Sequence, residues 1–211
     1  IVYMGMGEPL MNYVEVSRSI HVACNQKKLD LSNRRITVST CGIAPRIVDF
    51  ARDFPQVSLA ISLHAPNDET RSKTMPVNDL YPLNVLMAAT TQYTEITNKR
   101  VFYEYIMING VTDRLEYATQ LGELLKWKLA HVNFIPYNPG EGTDSNGYLP
   151  TSKMIIKKFQ STLDNYGIPS TIRHTMGDDI DAACGQLALK EEGKSLATEV
   201  GRTLGKKTKK I

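Results

Sequence analysis

The sequence has little cysteine, a single tryptophan and no long apolar run. Its cysteines number three, Cys24, Cys41 and Cys184, and so small and odd a number fits a reducing compartment better than a disulfide-linked fold. Their spacing matches no zinc or iron–sulfur motif. No apolar stretch approaches the roughly 18 residues that a membrane-spanning helix needs. We therefore expect a cytoplasmic protein with no membrane span and no metal ligands within this sequence.

An initiator methionine and the basic segment of a signal peptide are also absent from the first residues, IVYMGMGEPL. Residues 1–6 have the pattern of a buried strand, where a domain rarely begins. We therefore expect that residues before Ile1 complete the domain.

Charge of neither sign dominates, since 25 Lys and Arg against 22 Asp and Glu give a net charge of +3. Basic residues nevertheless collect at the end, where GRTLGKKTKKI holds no acid. Such a segment either meets phosphate groups or is a solvated end. The pattern predicts one domain over residues 1–189, followed by a basic tail over residues 190–211.

Strand-like and helix-like segments alternate along the chain. Strand patterns cover residues 1–6, 34–40, 57–64, 100–108, 131–139 and 170–175. Helical patterns cover residues 12–28, 44–54, 67–75, 82–97, 112–128 and 151–167. The predicted helix caps are Asn67 or Asp68, Thr112 or Asp113, and Thr151, with Gly167 as a stop. This alternation predicts an α/β fold with parallel strands, either doubly wound or a β/α barrel.

Small and polar residues follow most of the predicted strands. In both architectures, ligands bind at the carboxyl ends of the strands. The relevant stretches are GMGEP (5–9), STCG (39–42), SLHAPND (62–68), YIMINGVTD (105–113), IPYNPG (135–140) and RHTMGDD (173–179). Together they predict a polar pocket above an apolar core.

Each candidate residue also has an alternative explanation. Gly7 allows close approach of a ligand, and Glu8 has a carboxylate for an ammonium group, but both also suit a solvated turn. Ser62 and His64 alternate toward one side, although a histidine there can simply bond to backbone. Asn138 suits a nucleoside or amino-acid head group, or an Asn-Pro turn.

Cys184 lies in DDIDAACGQL, a run rich in acids. A cysteine becomes a nucleophile when its thiolate is favoured. The neighbouring Asp178, Asp179 and Asp181 oppose ionisation, because negative charge raises the pKa of a thiol. The local sequence thus predicts an inert thiol, unless a group from elsewhere activates it.

Five motifs occur in order: MGMGEPLMN, RRITVSTCGIAP, ISLHAPND, IPYNP and GDDIDAACGQL. Over roughly residues 1–190 the chain resembles the RlmN/Cfr family of radical S-adenosylmethionine RNA methyltransferases. The resemblance implies a partial (β/α) TIM-like barrel of the radical SAM type, truncated at its N-terminus so that the first strand and cluster loop are missing. It also implies two cofactors, S-adenosylmethionine and a [4Fe–4S] cluster whose ligands lie upstream of Ile1.

By the same resemblance, Gly7 and Glu8 lie at the methionine end of S-adenosylmethionine. The rest of that site would be lined by Ser39, Ser62, Leu63, His64 and Asn138. Cys184 matches the cysteine that is S-methylated and delivers its methyl carbon, with a nearby sulfonium favouring its thiolate. Neither Cys24 nor Cys41 matches the second cysteine, which releases the product by a disulfide.

The implied reaction is radical methylation of adenine C2 in 23S rRNA, and in tRNA as well. The implied partners are these RNAs and an external electron donor such as flavodoxin, with the protein as a monomer. Three alternatives stay open: a C8 methyltransferase of the Cfr type, a non-radical β/α-barrel enzyme, and a non-catalytic RNA-binding remnant.

Overall fold

The computed structural model of the chain describes residues 1–138 and 147–173. Its strands form one sheet in which all neighbouring strands are parallel. They are β1 (Val2–Tyr3), β2 (Thr37–Thr40), β3 (Ser58–Ser62), β4 (Val101–Met107), β5 (Ala130–Pro136) and β6 (Ser170–Ile172). Each strand overlaps a segment in which the sequence pattern predicts one.

Helices connect the strands, again where the sequence predicts them. They are α1 (Tyr13–Cys24), α2 (Ala44–Asp53), α3 (Asp68–Thr74), α4 (Leu83–Thr97), α5 (Leu115–Leu125) and α6 (Lys153–Asn165). Short 3₁₀ turns cover Pro9–Asn12, Asn33–Arg35 and Pro76–Asp79. Two consecutive helices, α3 and α4, join β3 to β4.

The order of the strands decides between the two predicted architectures. Across the sheet they follow one another as they do along the chain, from β1 to β6. In a doubly wound sheet the order in which strands are added reverses at a switch point, whereas a β/α barrel adds each strand beside the preceding one. The fold is therefore a partial TIM-like barrel, as expected.

One face of the sheet packs against the helices and carries the apolar core. Tyr105 and Phe134, on neighbouring strands, are fully buried against Phe159 of α6. The ring centroid of Phe159 lies 6.1 Å from that of Tyr105 and 5.9 Å from that of Phe134. Burial of such aromatic side chains supplies much of the stability of a core.

The opposite face carries a polar row that runs from the end of β3 through the middle of β4, β5 and β6. Ser62 pairs with Glu104, Glu104 with Asn133, and Asn133 with Thr171. Because paired residues of parallel strands project to the same side, these four side chains form one layer across the sheet. At Ser62 this layer reaches a strand end where the sequence predicts a pocket.

The helix caps agree only in part with those that the sequence predicts. The side chain of Asn67 caps α3 by accepting a bond from the backbone of Thr70 (2.9 Å), as predicted. The predicted cap of the fifth helix, Thr112 or Asp113, is wrong, because α5 begins only at Leu115. Instead, Thr112 accepts a bond from the backbone N–H of Ile108 (2.8 Å) and so fixes the turn after β4.

The predicted cap of the last helix, Thr151, is also wrong by one residue. Ser152 occupies the cap, and its hydroxyl accepts a bond from the backbone of Ile155. Thr151 instead donates to the carboxylate of Asp113 (3.0 Å), a tertiary contact that no local sequence pattern predicts. Gly167, with φ +69°, follows the end of α6 as predicted.

Candidate functional site

A cleft of about 490 Å³ opens at the carboxyl ends of β1, β2 and β3. Its volume lies within the range of small-molecule sites, roughly 300–1,000 Å³. Four residues that the sequence predicts for a ligand site line it: Gly7, Glu8, Ser39 and Ser62. The fold thus brings together groups that are up to 55 positions apart in the chain, as the separation of Gly7 and Ser62 shows.

Glycine in the loop after β1 serves the backbone conformation. Gly5 has φ +129° and Gly7 has φ +86°, values that other residues adopt only at a cost in energy. A Cβ atom built at either position would meet nothing within 4 Å. The loop therefore turns sharply beside open space, and its peptide groups remain accessible to a ligand.

Glu8 braces this loop against the end of β2. One carboxylate oxygen accepts a bond from the backbone N–H of Leu10 (2.9 Å), and the other accepts from that of Cys41 (2.7 Å). A carboxylate has about four acceptor positions, so capacity remains for a ligand. Glu8 thus combines a structural contact with the position predicted for binding an ammonium group.

Cys41 lies in the wall of the same cleft and is held as a neutral thiol. Its pKa is raised to about 12, first by burial and then by the hydrogen bond and negative charge of Glu8. The positive charge of Arg71 acts in the opposite direction but is outweighed. Since the thiolate is the reactive form, these surroundings disfavour Cys41 as a nucleophile.

Leu63 and His64 lie beside the cleft, and the side chain of Leu63 is buried in the core. The backbone N–H groups of both donate to the carbonyl of Glu104, at 3.1 and 3.2 Å. His64 has a left-handed φ of +57°. Its Nδ1 accepts a bond from the backbone of Ile106 (3.2 Å), the backbone role that the sequence left as an alternative.

Burial, and to a lesser extent the charge of Arg71, lowers the pKa of His64 to about 4. His64 is therefore neutral at physiological pH. Because Nδ1 accepts a hydrogen bond, the proton of the neutral ring is on Nε2. The ring is thus a hydrogen-bond donor toward any group beside Nε2.

Asn138 is partly buried two residues after the end of β5. Cys184 and the acids Asp178, Asp179 and Asp181 lie outside the described residues, as does the predicted tail. The role of Cys184 and the boundary at residue 189 therefore stay predictions.

A hydrogen-bond chain on the polar face of the sheet was not predicted. Nε2 of His131 lies 3.1 Å from the hydroxyl of Thr171, which donates to Oδ1 of Asn133 (2.7 Å). Nδ2 of Asn133 in turn donates to Oε1 of Glu104 (2.8 Å). Burial raises the pKa of Glu104, against the opposing effects of the Asn133 bond and the charge of Arg173.

The sequence patterns also do not predict a buried arginine that lies behind the cleft. Arg71 lies in α3, within the polar run DETRSKT, for which the sequence pattern predicts only a capped helix. Its side chain is fully buried and donates to the carbonyl groups at the ends of β2 and β3. No local signal distinguishes it from an exposed arginine.

No group of three or more His, Cys, Asp or Glu side chains in residues 1–138 and 147–173 could hold a metal ion. Throughout the same part of the chain, every helix is too short or too polar to cross a membrane.

The parallel partial barrel has counterparts among known proteins. A family model described as the radical SAM superfamily matches residues 1–121. This chain belongs to that superfamily. The cleft therefore lies at the carboxyl ends of the strands of a radical SAM fold.

Two relatives of this radical SAM chain are named probable dual-specificity RNA methyltransferase RlmN. The protein from Caldanaerobacter subterraneus subsp. tengcongensis is 46% identical over 190 residues, which cover 90% of this chain and 55% of the relative. The protein from Enterococcus faecalis is 48% identical over 193 residues, covering 90% and 54%. The chain thus spans about half the length of the curated relatives it matches.

Solved structures agree with this assignment. A radical SAM methyltransferase from Sphaerobacter thermophilus superimposes with a TM-score of 0.84 at 45% identity, covering 88% of this chain and 54% of that one. A domain of pyruvate-formate lyase-activating enzyme from Bacteroides vulgatus gives a TM-score of 0.63 at 17% identity, covering 82% and 98%. At that low identity the second likeness shows the fold alone.

Proposed function

We propose that this chain forms most of the S-adenosylmethionine site, and carries the methyl-transferring cysteine, of a radical SAM RNA methyltransferase. The observation that carries the proposal is the convergence of Gly7, Glu8, Ser39 and Ser62 on one cleft. It is supported by 46–48% identity to proteins named as RlmN RNA methyltransferases. The proposed product is adenine methylated at C2, in 23S rRNA and in tRNA.

The cleft fits an amino-acid nucleoside in size and in chemistry. It offers open peptide groups at two glycines, a carboxylate and two hydroxyls, which suit an amino-acid end and a ribose. We assign Gly7 and Glu8 to the methionine end. We assign Ser39, Ser62, Leu63, His64 and Asn138 to the remainder of the cofactor, where the neutral ring of His64 donates from Nε2.

S-adenosylmethionine, together with a [4Fe–4S] cluster, supplies the methyl group and the radical chemistry. The cysteines Cys24, Cys41 and Cys184 lack the spacing of a cluster motif, so we assign the cluster ligands to a part of the protein outside residues 1–211. We assign no chemical role to Cys41, because burial and the neighbouring Glu8 raise the pKa of its thiol. We assign the methyl-carrying role to Cys184, whose thiolate the cofactor sulfonium would favour.

The test uses the full-length protein, reconstituted anaerobically with iron and sulfide and supplied with a reduced electron donor, such as flavodoxin. RNA is digested after reaction, and methylated adenosines are separated by mass spectrometry against 2-methyl and 8-methyl standards. We expect 2-methyladenosine from the wild type and none from Cys184→Ala. The control is Cys24→Ala, whose thiol contacts Asn33 away from the cleft and whose loss should leave the yield unchanged.

Each other outcome contradicts part of the proposal. A yield of 8-methyladenosine would reassign the enzyme to the Cfr type of specificity. Full activity of Cys184→Ala would refute the assignment of the methyl-carrying cysteine. A wild-type protein that binds RNA but neither binds S-adenosylmethionine nor methylates would favour a non-catalytic RNA-binding role.

A further inference from the structure

Arg71 is a charged side chain that is 0% exposed, and it makes four hydrogen bonds behind the cleft. Nη2 donates to the carbonyl of Cys41 (2.6 Å) and to that of Ser62 (3.3 Å). Nε donates to the carbonyl of Leu63 (3.2 Å). Nη1 donates to Oδ1 of Asn78 (2.9 Å). Three of the four acceptors are thus backbone groups at the ends of two neighbouring strands.

Within the described residues, Arg71 forms no ion pair with a carboxylate at 4.0 Å or less. Its connection to negative charge runs through Asn78, whose Nδ2 donates to Oδ1 of Asp68 (3.0 Å). The same oxygen of Asp68 accepts the backbone N–H of Leu83 at the start of α4 (2.8 Å). The guanidinium is therefore fixed in position by α3 and α4 together.

Glu8 and Arg71 hold the same residue from opposite sides. The N–H of Cys41 donates to Glu8 (2.7 Å), and the carbonyl of Cys41 accepts from Arg71 (2.6 Å). Because Arg71 also binds the carbonyl of Ser62, one rigid guanidinium holds the distance between the end of β2 and the end of β3 just beyond the last pair of their ladder, Thr40 and Ile61. This distance is a dimension of the cleft, since Cys41 and Ser62 both line it.

We propose that Arg71 is a positioning residue for the S-adenosylmethionine site: it fixes the two strand ends whose backbone and side chains hold the cofactor. This inference rests on the proposed function for the identity of the ligand. Arg71 itself does not line the cleft, and it acts through Cys41, Ser62 and Leu63.

A purely stabilising role explains the arrangement less well. Burying a charge away from a direct counter-ion costs free energy, and an apolar side chain of similar size often gives equal or greater stability. The planar fork of an arginine, by contrast, can hold several acceptors at fixed angles. Arg71 uses that geometry on carbonyl groups from two strands, which an apolar residue cannot orient.

The test compares Arg71→Met, Arg71→Lys and Tyr93→Phe in the full-length reconstituted protein. Tyr93 is a buried matched control, because its hydroxyl donates to the carbonyl of Val57 just before β3, at the opposite end of that strand. Dissociation constants are measured for S-adenosylmethionine by calorimetry and for the RNA substrate by filter binding. Urea unfolding of each variant records its stability.

We expect Arg71→Met to weaken S-adenosylmethionine binding by about tenfold or more, with RNA binding changed less than about twofold. Arg71→Lys should be intermediate, because an ammonium group can replace only part of the fork. Tyr93→Phe should change neither constant, even where it lowers stability as much. The separation of the two constants is the readout that a general loss of stability would not produce.

Unchanged cofactor affinity in Arg71→Met would overturn the inference while leaving the proposed function intact. An equal loss of cofactor and RNA binding would also overturn it, since that indicates general unfolding. If Arg71→Met does not fold, Arg71→Lys decides between these outcomes. A wild-type protein that does not bind S-adenosylmethionine would refute the proposed function itself.

Discussion

The brace made by Glu8 predicts a measurable loss of stability when its charge is removed. In Glu8→Gln, one of the two bonds to the N–H groups of Leu10 and Cys41 is lost, because the amide nitrogen is itself a donor. The bond that remains becomes neutral. A hydrogen bond to a charged group contributes about 1.5–3 kcal/mol. Since Glu8 is partly exposed, we expect a loss near the lower end, about 2 kcal/mol.

Urea unfolding followed by far-ultraviolet circular dichroism measures this loss. With a slope of ~2 kcal/mol per molar urea, the midpoint should fall by about 1 M. The control is Glu15→Gln, which removes an exposed ion pair with Arg18 and should shift the midpoint by less than about 0.3 M. Equal midpoints for the two variants would refute the idea that Glu8 joins the β1 loop to β2.

Two further predictions concern packing and protonation. Gly122→Ala should lower the free energy of unfolding in urea by about 1–3 kcal/mol, because a Cβ atom there would collide with the ring of Tyr166. The control Thr119→Ala, on the same helix, should leave it nearly unchanged. His64 should titrate near pH 4 by NMR, and its folded pKa lies below its unfolded value of 6.5. Its contribution to stability is therefore complete above pH 6.5 and is lost as the pH falls toward 4, so His64→Gln should show a weaker acid destabilisation.

The positions of the helices and strands could be predicted from the sequence because the patterns that indicate them are local. Period-two and helical patterns depend only on near neighbours, and turn residues such as Gly167 act on their own backbone. The two wrong caps, Thr112 or Asp113 and Thr151, fail because other partners compete for the same side chains. Thr112 bonds to Ile108 within the turn after β4, whereas Asp113 and Thr151 bind each other across 38 positions of the chain.

The candidate site was predictable in part for a different reason. In a parallel sheet all carboxyl ends lie at one edge, so Glu8, Ser39 and Ser62 could be assigned to one place without knowing the strand order. Arg71 could not be assigned, because its partners are backbone carbonyls, which every residue possesses. The hydrogen bonds that link His131 to Glu104 depend on the exact pairing of β4, β5 and β6, which the periodicity of the sequence does not determine.

The two faces of the sheet differ in what they contribute. On the helix-facing side, burial of rings such as Tyr105 and Phe134 stabilises the fold. On the other side, each hydrogen bond of the polar layer adds only about 0.5–1.5 kcal/mol, and the burial of Glu104 opposes this gain. An apolar layer would serve stability better. The polar layer is consistent instead with a surface prepared for a polar ligand, because it continues directly from Ser62 in the cleft and its donors are already oriented toward Glu104.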